Sequence, residues 1–210
     1  YKRQPMSKIL LECCVGSVES AVNAELGGAG RVELCSALEL GGVTPSSAVI
    51  RLARERIGVP LFVLIRPRGG DFHYSPLEVE VMKTDIAAAR DLGADGIVLG
   101  ILREDGNVDV ERTAELIEAA GGASITFHRA FDSTPDPLAA LEALRELAFE
   151  EGKENFCSVA LTYILEPPTL GEQKSKAAQL GIKRLMETGI QPDLIACRAE
   201  HEVSDTARQK

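Results

Sequence analysis

Two textures alternate along the chain. Short apolar runs recur at 9–15 (ILLECCV), 31–35 (RVELC), 60–65 (PLFVLI), 96–102 (GIVLGIL) and 124–131 (SITFHRAF), and a longer stretch with apolar residues at helical spacing follows each. Runs this short read as strands, and the amphipathic stretches between them read as helices. The first helix starts behind Ser17 as N-cap, with Ser20 in place of a capping-box glutamate and Val18, Ala21, Val22 and Leu26 on one face. Thr44 and Pro45 supply an N-cap and a first-turn proline for a helix to about 57, in which Val49, Ile50, Leu52 and Ala53 form the stripe. Further helices are predicted over about 75–92, 110–120 and 136–147.

Strands that alternate with helices make βα units on a parallel sheet. No GxGxxG turn follows the first strand, so a dinucleotide-binding doubly wound sheet is disfavoured. The predicted fold is α/β, a TIM-type (βα)8 barrel that is incomplete or altered after the fifth βα unit. Beyond about 149 the regular texture breaks. A hydrophilic EEGKEN leads to a possible strand at 156–165, EPP interrupts, and a helix over 171–188 and a strand over 193–197 follow. The end, 198–210, is charged and expected to fray. The expectation is a single domain over 1–210, with regular units to 147 and a divergent tail from 148.

Composition narrows the functional classes. A net charge of -9 without any lysine/arginine tract argues against a phosphate-backbone partner, so no nucleic acid is expected. No apolar run approaches the roughly 20 residues that span a bilayer, and YKRQPMSK is no secretory signal core, so neither a membrane nor secretion is expected. The five cysteines, Cys13, Cys14, Cys35, Cys157 and Cys197, show no regular spacing and no CxxC pair. They suggest neither a disulfide framework nor a zinc ribbon, and Cys157 and Cys197 read as buried free thiols.

The candidate chemistry gathers at strand ends. LIRPRGGDF (64–72) is a strand that runs into two arginines, two glycines and an aspartate, where parallel α/β folds place ligands. Side chains two apart share a strand face, which groups Glu12 with Cys14, Arg31 with Glu33 and Cys35, and Leu64 with Arg66 and Arg68. If these sets face inward, Glu12, Glu33, Arg66 and His128 line one small cavity, with Cys14 and Cys35 at its rim. His73 and Tyr74 are expected to cover it. Glu12, Glu33 and His128 are the candidate acids and bases, and Arg31, Arg66, Arg68, Arg129 and Asp132 the candidate anion-binding set. A buried ion pair explains any one Glu/Arg pair equally well, and the number of charged residues inside apolar strands favours a site. Cys14 and Cys35, after neighbouring strands, suit a soft ion such as Cu(I), although packing explains two cysteines as well.

The segments LLECCVGSVESAVNAELGGAGRVELCSALELGGVTPS, FVLIRPRGGDFHYS, GADGIVLGILREDGNVD and ITFHRAFD, in this order, resemble the CutC family of copper homeostasis proteins over about 9–147. The resemblance implies a TIM-type barrel, often a homo-oligomer, in the cytoplasm or also the nucleus. It also implies Cu(I) held at Cys14 and Cys35. The resemblance makes cytosolic Cu(I) binding or trafficking the first expectation; the cluster with Arg66, Arg68 and His128, which copper does not explain, makes an enzyme that acts on a small anionic sugar or phosphorylated compound the alternative. From about 148 the chain departs from the family pattern. AFEEGKENFCSVALTYILEPPTLGEQK stands where the resemblance implies a SerGly-type turn and, later, a Gly-rich strand end, so closure of the barrel is in question.

Overall fold

The computed structural model describes residues 10–151, 159–166, 173–187, 194–198 and 204. The chain divides into two compact units, 1–151 and 152–210. In the first, β1 (Glu12–Val15), β2 (Arg31–Leu34), β3 (Leu61–Leu64), β4 (Gly96–Leu99) and β5 (Ser124–Phe127) form one parallel sheet in sequential order. The helices α1 (Val18–Leu26), α2 (Ser47–Arg56), α3 (Pro76–Asp91), α4 (Val110–Ala120) and α5 (Pro137–Glu151) each follow one strand. This is the TIM-barrel-like βα succession expected from the pattern. Among the described residues, β1 and β5 have one strand neighbour each, so the five strands make an open part of a barrel.

Local chemistry sets the helix starts. Ser17 Oγ accepts the Ser20 amide at 3.1 Å, and Ser75 with Glu78 completes a capping box ahead of Pro76. Asp109 Oδ1 caps α4 and Asp136 Oδ1 caps α5. For α2 the cap is Ser46, whose Oγ accepts the Val49 amide, and not Thr44. Thr44 is committed elsewhere, because its Oγ1 accepts the amide of Arg66 at 2.8 Å.

The two sheet faces differ. Val32, Leu34, Leu61, Val63, Ile65, Ile97 and Leu99 point to the helices and pack with Ile50, Met82, Ile86 and Leu116 in the main core. The opposite face carries Cys35, Phe62, Leu64 and Val98 in a small apolar cluster, flanked by the charged residues of β1 and β2. Tyr74, expected over the cavity, is instead 1% exposed and belongs to the main core.

In the second unit β6 (Val159–Tyr163) pairs in parallel with β7 (Leu194–Arg198), joined through α6 (Lys176–Glu187), which packs on β6. The strand–helix–strand order of the tail is as the sequence suggested, and these strands form a sheet of their own. Cys157 and the stretches 199–203 and 205–210 lie outside the described residues.

Candidate functional site

The inward residues fall into two groups where one cavity was expected. The first lies across β1 and β2. Glu12 and Arg31 are register partners and form an ion pair, and the Arg31 guanidinium lies 4.2 Å over the Phe62 ring. This pairs the Arg31 charge inside the sheet with a carboxylate and an aromatic ring. One pleat further on, Cys14 Sγ lies 3.6 Å from Glu33 Oε1 and 3.8 Å from Cys35 Sγ. Cys35 is buried and its Sγ also reaches Val15 O at 3.4 Å, whereas Cys14 is exposed. The neighbouring Cys13 points the other way and packs against the main core.

These thiols titrate as a pair. The Cys14 S–H stabilises a thiolate on Cys35, which lowers the Cys35 pKa, and the same interaction, with burial and the Glu33 charge, raises that of Cys14. Burial and the Glu12 carboxylate raise Glu33, against the Cys14 hydrogen bond and Arg31. Among the described residues no group of three or more His, Cys, Asp and Glu side chains is placed to hold a metal ion. The donor set is therefore two sulfurs, which fits a soft ion of low coordination and not zinc or a hard cation.

The second group is a cleft of about 790 Å³ at the carboxyl ends of the strands, lined by loops after β2, β3, β4 and β5. Arg66 and Arg129 line it with Gly41, Phe72, His73 and Leu102. Arg66 is 4% exposed; its Nη1 donates to Leu40 O and Gly42 O, and its Nη2 to Gly70 O at 2.7 Å. The guanidinium stacks 4.8 Å over the Phe72 ring, which on its other contact meets the His128 ring at 5.0 Å between centroids. His128 Nδ1 accepts the Ala130 amide at 3.2 Å, which assigns the proton to Nε2. Burial, with Arg66 and Arg129 nearby, pushes the His128 pKa down from 6.5 to about 4, so the ring is neutral at physiological pH.

The remaining candidates stand apart from this cleft. Arg68 is tied to Glu78 at 2.6 Å, Asp71 at 3.0 Å and His73 O, which spends its donors on the start of α3 and the loop before it. Asp132 is exposed on the short 3₁₀ turn Arg129–Ser133, off the cleft wall, and Glu12 and Glu33 are not part of that wall either. The sequence reading missed Phe72, which joins Arg66 to His128, and Gly41, on which a Cβ would sit 3.3 Å from Arg66 Nη1 and 3.7 Å from Arg129 Nη1. The GlyGly pair at 41–42 was the available signal, since both adopt positive φ.

A model of the CutC family matches residues 9–152. The chain belongs to the CutC family. Over 148 residues it is 55% identical to the copper homeostasis protein cutC homolog of Mus musculus and 54% identical to that of Homo sapiens, in each case over 70% of this chain and 54% of the relative. This CutC-family chain thus spans about half the length of the curated relatives it matches. A crystal structure of a CutC protein from Streptococcus agalactiae superposes with a TM-score of 0.67 at 28% identity, over 90% of this chain and 98% of that one. A 2,3-dimethylmalate lyase structure, at TM-score 0.51 and 14% identity over 96% of this chain and 72% of that one, shares the fold alone. A second family model, CTP synthase N-terminus, matches residues 134–210, so the two matches overlap across α5. No helix among the described residues of this CutC-family chain is long and apolar enough to cross a membrane.

Proposed function

We propose that this chain serves copper homeostasis by binding Cu(I) between Cys14 and Cys35. The observation that carries the reading is the 3.8 Å separation of the two Sγ atoms, which lets one ion touch both sulfurs. Family membership supports it, through relatives that bear the name of copper homeostasis proteins. A soft d¹⁰ ion accepts thiolates that a hard cation rejects, and the pair offers no carboxylate cage.

Uptake of the ion requires both thiols to lose their protons. Cys35 gives up its proton first, because Cys14 donates to the resulting thiolate. The second proton leaves Cys14 against a raised pKa, and Glu33 Oε1, 3.6 Å away, is placed to receive it. Cys14 is exposed, so the ion arrives from the open side and the buried Cys35 forms the back of the seat.

Anaerobic Cu(I) titration against a competing chromophoric chelator tests the reading. Wild type is expected to hold one tightly bound ion per chain that Cys14→Ser/Cys35→Ser lacks and Cys13→Ser keeps. Equal stoichiometry and affinity in the double variant would sink it.

A further inference from the structure

Arg66 presents an electrostatic imbalance that the copper reading does not use. Its guanidinium is almost wholly buried, and among the described residues no carboxylate lies within ion-pair distance of it. Three backbone carbonyls accept from it, and these are dipoles that do not cancel its charge. Of the five N–H donors of a guanidinium, Nε has no hydrogen-bond partner among the described residues, and the neutral Tyr74 hydroxyl interacts with this guanidinium electrostatically. Unneutralised buried cations are costly and call for a counter-charge.

A second cation stands beside the first. Arg129 is exposed at the cleft wall and makes no hydrogen bond or ion pair among the described residues. Gly41 lies between the two arginines: a Cβ on it would stand 3.3 Å from Arg66 Nη1 and 3.7 Å from Arg129 Nη1, so glycine lets the two guanidinium groups stand close. Behind Phe72, off the cleft wall, His128 adds a neutral ring whose buried Nε2–H has no acceptor among the described residues. The acidic residues of the wall, Glu39, Asp71 and Glu104, are all exposed at the mouth, and Asp71 is already engaged by Arg68.

We propose that the cleft at the ends of β2 to β5 is a binding site for the oxyanion group of a small molecule, a carboxylate or a phosphate, drawn in by the buried charge of Arg66 and bound by Arg129. The Arg129 guanidinium suits the planar or tetrahedral oxygens of such a group through charge-assisted contacts, and the uncompensated charge of Arg66 behind it adds attraction. Arg66 is the fixed charge, held by the loop carbonyls, and Arg129 is the group that contacts the ligand. The apolar Phe72 and Leu102 leave room for a short carbon body beside the anionic group. This site is separate from the thiol pair: neither cysteine lines the cleft.

The test uses the full chain with inorganic phosphate and with malonate, each at ionic strength matched with chloride. Titration calorimetry and the His128 Cε1–H proton resonance, assigned by its absence in His128→Asn, are read together. Saturable binding with Kd about millimolar or tighter is expected for at least one anion, weakened about tenfold in Arg129→Ala, the loss of one charge-assisted contact. The bound anion should also raise the His128 midpoint, since it offsets the arginine charges. Cys14→Ser/Cys35→Ser should bind it as wild type does. Response to phosphate alone assigns a phosphorylated ligand, and response to malonate alone a carboxylate. Absence of saturable binding for both anions, or binding unchanged in Arg129→Ala, overturns the proposal. Arg129 is exposed and has no hydrogen bond or ion pair among the described residues, so its replacement is expected to leave the fold intact, which the thermal melt of Arg129→Ala checks.

Discussion

Cys14 Sγ and Cys35 Sγ stand 3.8 Å apart, although across β1 and β2 the register partner of Cys14 is Glu33. The sulfurs meet diagonally because Cys35 lies just past the end of β2, where its side chain leans back over the pleat and its Sγ reaches Val15 O. Removal of Cys14 should therefore raise the Cys35 pKa, since the thiolate loses its S–H donor. Ultraviolet thiolate absorbance as a function of pH reads this directly. The earliest thiolate step of wild type is expected to move to higher pH in Cys14→Ala, and superimposable titrations of the two proteins would contradict the pairing.

His128 links stability to acid. The folded ring stays neutral down to about 4, whereas the unfolded chain protonates it near 6.5. Below 6.5 the unfolded state binds more protons, so stability falls with pH and the full loss, up to about 3 kcal/mol, is reached below the folded value. Denaturant melts of wild type and His128→Asn at several pH values check this. The asparagine keeps an acceptor for the Ala130 amide and cannot take the proton, so its stability curve should be flatter through that window. Parallel curves would show that His128 does not contribute.

Gly100 makes room for the same ring. A Cβ there would stand 2.5 Å from His128 Nδ1 and Cε1, closer than any side-chain contact tolerates. Gly100→Ala is expected to destabilise by about 1–3 kcal/mol through overpacking. Much of that loss should vanish when His128→Ala is added, because the double variant removes the clash. Strictly additive effects in a double-mutant cycle would mean that the strain lies elsewhere.

The side chains that share a strand face were legible, because the period of two is a property of the extended backbone. It paired Glu12 with Cys14, and Arg31 with Glu33, and the sheet register then set Arg31 against Glu12. The same rule failed for Arg68. Strand β3 ends at Leu64, so by residue 68 the chain has turned and the guanidinium meets Glu78 at the start of α3. The Thr44 cap failed for a related reason, since the hydroxyl is claimed by the Arg66 amide from another loop. Contacts of that kind join residues distant in sequence, and no local pattern encodes them. The departure of the tail from the family was visible as composition, and its own strand pair follows from ordinary βαβ patterning.

Arg66 also constrains how the loops around the cleft can change. It holds them by carbonyl oxygens, those of Leu40, Gly42 and Gly70, and not by side chains. The Leu40 side chain itself faces water, 58% exposed. Substitution at such a position is tolerated as long as the backbone keeps its course, whereas one inserted or deleted residue in either loop swings a carbonyl away from the guanidinium. In these two loops length is therefore guarded together with the glycines of positive φ, Gly41, Gly42 and Gly70, whereas a position such as Leu40 is free to drift.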